Sequence, residues 1–183
     1  MSFNWEPRNL TETRDYAVVT SAKHEVAEIT ECFDADWTRK AFTPGDHSHL
    51  IWCVGNGRQR IGQFIDEAKH TLFLQNERYQ DQVIIERLVR AAERGVKVHV
   101  MARPAHKLKK EKLEEGVGGL RILDDVGVKV HKLKGLKLHA KLLWQTMSAE
   151  SSAQSILLQA ASTAGGSALS RCETKMWWTA CTR

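Results

Sequence analysis

The strongest constraint on this chain is a switch of periodicity, repeated through its middle third. Residues 71–74 (Thr-Leu-Phe-Leu) are short, apolar and β-prone. Residues 82–94 repeat their apolar side chains at helical spacing, and residues 96–100 (Val-Lys-Val-His-Val) alternate with period two. Gly95 stands where that helix must stop, at the position that favours a left-handed backbone. A helix of about a dozen residues between two strands is the crossover of a parallel pair. The pattern extends in both directions. Residues 50–54 read as a strand, 58–69 as a helix with Ile61, Phe64, Ile65 and Ala68 on one face, and 128–131 and 137–143 as two more strands. Before the turn residues 43–46 (Thr-Pro-Gly-Asp), residues 15–20 read as a strand. Residues 22–37 read as an amphipathic helix with Val26, Ile29, Cys32, Phe33 and Trp37 near helical spacing. The expected fold is α/β: a mixed, largely parallel sheet flanked by helices, with ligands gathering at the carboxyl ends of its strands.

Composition narrows the function classes. The 183 residues are 42% apolar and 27% charged, ordinary for a globular domain with a sizeable core. The longest apolar runs fall far short of a membrane span. Met1-Ser-Phe-Asn-Trp-Glu-Pro has neither a basic nor an apolar leader region, so a cytoplasmic location is expected. Cys32, Cys53, Cys172 and Cys181 lack metal spacing and read as reduced thiols. The net charge of +5 is concentrated: residues 107–141 hold nine lysines and one arginine against five acids. Such a stretch attracts phosphates, either in anionic lipid at a membrane surface or in nucleic acid. Nucleic acid stands second, because residues 96–143 show no aromatic-rich stacking platform. His99 and His131 alternate with valines and read as outward-facing strand residues. Residues 116–119 (Gly-Val-Gly-Gly) fit no nucleotide-binding fingerprint and read as a flexible loop.

Chemistry concentrates in Lys137-Leu-His139-Ala-Lys141-Leu-Leu143. On one strand His139 and Lys141 would face the same way, setting a nucleophile or proton carrier beside a fixed positive charge. A lone His-x-Lys is a weak motif, but its context strengthens it. Together with Gln82-Val-Ile-Ile-Glu-Arg-Leu-Val-Arg-Ala-Ala-Glu-Arg-Gly-Val-Lys-Val-His-Val100, this segment resembles the second half of a two-repeat phospholipase D superfamily enzyme. That family's signature is His-x-Lys, four residues, Asp, then Gly-Ser-x-Asn and a later acid. Ser2-Phe-Asn4, followed eleven residues on by Asp15, resembles the end of the first repeat's signature. The first repeat's own His-x-Lys would lie upstream of Met1. The resemblance implies phosphodiester cleavage or transfer without metal or cofactor, on a phospholipid or another phosphodiester. One repeat's histidine attacks phosphorus, and the other's protonates the leaving group and then activates water or an alcohol. By the same resemblance His139 is nucleophile or acid/base and Lys141 a phosphate ligand. Ser2, Asn4 and Asp15 are a remnant of the first site, and Glu77, just after a strand end, is a candidate for the phosphate pocket. The oligomeric state stays open.

The chain departs from that family after Leu143. The expected Asp falls on Thr146, no Gly-Ser-x-Asn follows, and residues 151–170 contain no charge. Shifted by one base, the codons there permit Asp near Thr146, Ser-x-Asn around residues 153–156, and an acid eleven positions later, repeating the Asn4-to-Asp15 spacing. Two explanations remain: a one-nucleotide slip near Leu143, or a linker rich in Ser, Ala and Gln. Three segments are expected: 1–45, the end of a first repeat; 46–143, the start of a second; and 144–183, an aberrant or linker-like, poorly ordered tail. On this view His139 lacks its orienting acid, and the chain alone is an inactive fragment; the alternative from another class is a non-enzymatic α/β interaction module, which gains if the tail is native and structured.

Overall fold

The computed structural model describes residues 6–17, 19–45, 48, 50–52, 56–102, 110–133, 135–146 and 153–158. The elements are α1 (Pro7–Thr11), β1 (Thr13–Arg14), α2 (Lys23–Trp37), α3 (Gly57–Asp66), β2 (Thr71–Gln75) and α4 (Gln82–Glu93). They continue with β3 (Lys97–Ala102), α5 (Lys110–Asp125), β4 (Lys129–Lys132), β5 (Lys137–Leu138), β6 (Lys141–Thr146) and β7 (Ala153–Leu158). The main sheet has five strands in the order β4-β3-β2-β6-β7. β4, β3 and β2 are parallel, β6 is antiparallel to β2, and β7 is antiparallel to β6. Four of its five strands therefore share one direction, and the expected mixed α/β sheet flanked by helices is what forms.

Period-two alternation drives the core. Leu72 and Leu74 of β2 and Val98 and Val100 of β3 are buried with Phe64 and Ile65 of α3, Ile85 and Leu88 of α4 and Leu123 of α5. Each large side chain buried this way contributes about 1.5–3 kcal/mol. α4 is closed at both ends. The Asp81 carboxylate accepts from the backbone N–H groups of Val83 and Ile84, at 3.1 and 3.2 Å. At the other end Gly95 adopts φ +85°, and Val96 N–H donates to the Ala91 carbonyl across the turn. The same closure recurs after α5. Gly127 has φ +81°, and Val128 N–H donates to the Leu123 carbonyl.

Several expectations need correcting. Residues 116–119 are not a loop but lie inside α5. Gly119 is buried there against Tyr79 and Ile85, and a Cβ would collide with the Tyr79 carbonyl oxygen. Glycine lets α5 dock, and that outweighs its poor helix propensity. Residues 15–17 and 19–20 form no strand; only Thr13 and Arg14 pair. Leu50, Ile51 and Trp52 are fully or nearly buried yet join no ladder: Leu50 N–H donates to Ser48 Oγ and Trp52 N–H to Asn56 Oδ1, and residues 53–54 of the expected strand lie outside the described residues. The 23–37 helix forms, but Val26, Ile29, Phe33 and Trp37 are exposed, and its buried positions are Glu25 and Cys32. It reaches the protein through Cys32, which clusters with Leu50 and Trp52, and through Glu28, whose carboxylate accepts from the Trp52 indole N–H at 2.8 Å. Regular structure also runs past the boundary expected at Leu143. β6 continues to Thr146, and β7 pairs with it from Thr146↔Ala153 to Lys141↔Leu158.

Candidate active site

The segment expected as one strand over 137–143 is two. Lys137 and Leu138 pair in parallel with Thr13 and Arg14, whereas Lys141 onward pairs with β2. The crossover falls at His139 and Ala140. Burial still alternates through the break: Leu138 and Ala140 are buried, while His139 and Lys141 are half-exposed on the other side. β6 starts beside the carboxyl end of β2, in the register Gln75↔Leu142. His139 and Lys141 therefore stand where α/β sheets collect ligands.

The β1–β5 pairing explains who meets His139. Lys137 N–H donates to the Glu12 carbonyl at 2.7 Å and Ala140 N–H to the Arg14 carbonyl at 3.1 Å, and the Lys137 ammonium pairs with the Glu12 carboxylate. That ion pair holds the Glu12 carboxyl below its usual range. With the backbones fixed, Asp15 Oδ1 lies 2.8 Å from His139 Nδ1. Asp15 is nearly sealed from solvent, its side chain 5% exposed. The Thr13 hydroxyl, 2.5 Å away, donates to its other oxygen. The expectation that His139 lacks an orienting acid is thus wrong. The acid comes from the N-terminal segment, 124 residues earlier in the chain. An ionised Asp15 accepts from Nδ1–H and leaves the lone pair on Nε2, the atom that can attack or take a proton.

Lys141 Nζ donates to the His139 carbonyl at 2.7 Å and lies 3.9 Å from Glu77 Oε2. Glu77 follows β2, where its N–H donates to Asn76 Oδ1 at 2.8 Å. Lys141 and Glu77 line an open cleft of about 820 Å³ with Arg58, Asn76, Arg78 and Asp81. Arg58 is engaged by Asp81 at 2.8 Å. The cleft sets three cationic side chains, Arg58, Arg78 and Lys141, against two carboxylates, Glu77 and Asp81, a small excess of positive charge. His139 borders it through Lys141 and is not itself part of the lining. The structure therefore brings together His139, Lys141, Asp15 and Glu77, while Ser2 and Asn4 lie outside the described residues. Sequence reasoning passed over Thr13, although its place two residues before Asp15 on a short strand is a usable signal. Among the described residues no group of three or more His, Cys, Asp or Glu is placed to hold a metal ion, and no helix is long and apolar enough to cross a membrane.

No family model and no curated protein matches this chain. Among solved structures it is similar to the polyphosphate kinase from Porphyromonas gingivalis, at 16% identity over 86% of this chain and 25% of that one, with a TM-score of 0.55. More distant likenesses are Nuc from Salmonella typhimurium, a phospholipase D family member, and TrmBL2, an archaeal chromatin protein with a novel mode of DNA binding. The first has 18% identity over 52% of this chain and 61% of that one, with a TM-score of 0.46. The second has 14% identity over 86% and 54%, with a TM-score of 0.46. The chain thus spans less than two thirds of each of these proteins. At such identities the likeness speaks to fold, and any function has to be argued from the side chains at the site.

Proposed function

We propose that this chain carries one half of a phosphodiester-processing site of the phospholipase D kind, with His139 as nucleophile or proton carrier. The observation that supports it most is the 2.8 Å pairing of His139 Nδ1 with shielded Asp15, beside Lys141 at a strand end. In this scheme Nε2 forms a bond to phosphorus, the ester P–O bond breaks, and the leaving oxygen takes its proton from a second histidine. Water or an alcohol then cleaves the N–P bond. Lys141 steadies the phosphoryl oxygens, and Glu77 sets the position of Lys141. The first substrate reading is a phospholipid met in peripheral, cytoplasmic contact with an anionic membrane through the lysine-rich stretch of residues 107–141 outside β4. A nucleic acid is the second.

The scheme needs two histidines, and among the described residues His139 alone is paired with Asp15 beside Lys141. An aryl ester dispenses with the general acid, because p-nitrophenolate leaves without a proton. The purified chain, given bis(p-nitrophenyl) phosphate, should release at most one equivalent of nitrophenolate and retain an acid-labile phosphoryl group on His139. His139→Ala should abolish that burst, and Asp15→Asn should slow it about 100-fold. A folded chain that gives no burst, or a turnover indifferent to His139→Ala, defeats the proposal.

A further inference from the structure

β2, β3, β4 and β6 turn one face to α3, α4 and α5; their other face carries a row of rings. Trp144 of β6 lies 4.9 Å from Phe73 of β2, Phe73 lies 4.7 Å from His99 of β3, and His99 lies 5.3 Å from His131 of β4, centroid to centroid. Phe73 and His99 are stacked, at an interplanar angle of 16°, whereas His99 and His131, at 21°, meet edge to edge through a 3.0 Å contact between ring nitrogens. The direct register Trp144↔Phe73↔His99 produces the row, since neighbouring strands repeat at ring-stacking distance. The row is accessible: Phe73 is 39% exposed, and His131 at its end is exposed. By strict alternation the same face holds Lys97, two residues before His99, and Lys129, the cross-strand partner of His99. Both are exposed. Both also act on His99, whose pKa is lowered by partial burial first and then by His131, Lys129 and Lys97. At the described positions of this face on β2, β3, β4 and β6 there is no acid. A shallow hollow of about 100 Å³ opens beside the row, between Phe73, His99, His131, Met101 and Leu142.

We infer that this face binds single-stranded nucleic acid: a base stacks on the exposed ring of His131, at the end of the row, and Lys97 and Lys129 hold the flanking phosphates. Rings on a flat sheet stack on bases whatever the sequence, because every base has a π-face. The lysines select an anion. An aliphatic protein partner would bury both ammonium groups without a counter-charge, at high cost. A lipid surface fits poorly, since the open end of the row is a pair of imidazoles rather than an apolar wedge. The inference does not depend on the chemistry of His139. It replaces the expectation that no stacking platform exists: the platform is built across strands, from residues as far apart as Phe73 and Trp144.

The test is fluorescence anisotropy of a labelled twelve-nucleotide oligothymidylate with the full chain. His131→Ala should weaken binding about tenfold, within the range for losing one stacked base, while His131→Phe restores it. Lys129→Glu should flatten the log–log salt dependence by roughly 0.7. Inorganic polyphosphate, which has charge but no bases, should bind much more weakly and ignore His131→Ala. His131→Ala should leave the nitrophenolate burst at His139 unchanged, so that failure here and failure at the catalytic site are separable. Circular dichroism of each variant confirms folding. Equal affinity for polyphosphate, binding abolished by His139→Ala, or a preference for phosphatidylglycerol vesicles that responds to His131→Ala would each overturn the inference.

Discussion

Asp15 shows how much one side chain can decide. A carboxylate almost sealed from water is costly unless hydrogen bonds satisfy it. Here the Thr13 hydroxyl takes one oxygen and His139 Nδ1 the other. The same arrangement fixes the imidazole, so stability and chemistry share a contact. His99 gives a second residue-scale expectation. Its Nδ1 lies 3.0 Å from His131 Nε2, so one ring donates to the lone pair of the other. Partial burial first, and then His131, Lys129 and Lys97, hold the folded-state pKa of His99 below its ordinary value. The groups facing it are His131, Lys97, Lys129 and the Phe73 ring. Between the unfolded value, about 6.5, and the lower folded value, the unfolded chain holds a proton the folded one lacks. Stability should therefore fall as pH drops through about 6.5 and level off below the folded pKa. Urea midpoints between neutral and mildly acidic pH should show this decline, and His99→Gln should reduce it; an unchanged decline would place its origin elsewhere.

At the scale of elements, α5 is the informative case. Two of its glycines lie side by side in sequence and in opposite circumstances. Gly118 is exposed with nothing near its missing Cβ, while Gly119 sits against the Tyr79 carbonyl and Ile85. Gly118→Ala should stabilise the protein by about 1 kcal/mol through helix propensity. Gly119→Ala should destabilise it by about 1–3 kcal/mol, because helix and carbonyl must part. Thermal unfolding of the two variants checks the opposite signs, and matching signs would refute this account of the packing. The reading of residues 116–119 as a loop failed for the same reason: glycine content signals flexibility only when nothing is packed where a side chain would be. α2 fails in the converse way. Its spacing specifies a helix, and Lys23–Trp37 is one. Which face is buried depends on neighbours, and the packing reaches it at Cys32 rather than at Phe33 or Trp37.

For the whole molecule, the open question lies after Leu143. β7 covers the outer edge of β6, so removing residues 147–183 would leave the N–H and C=O groups of Lys141–Thr146 unpaired on that side. A chain ending at Thr146 should unfold at lower temperature and aggregate in a concentration-dependent way; identical stability would show that β7 contributes nothing to the sheet. Trp144, expected to lie in an aberrant tail, is a sheet residue whose ring is tilted against Phe73. The division at 46 and 143, and the one-base slip, stay proposals that the nucleotide sequence around codon 143 would decide. Local order alone was enough to establish the α/β alternation, the helix end at Gly95 and the prominence of His139 and Lys141, because periodicity, caps and i, i+2 geometry are short-range properties. What only the tertiary structure decided is everything that joins distant segments: Asp15 on His139, Glu77 beside Lys141, and the ring row across four strands. The physical reason is that strand pairing sets these meetings, and register between strands is a property of the folded sheet, not of any window along the chain.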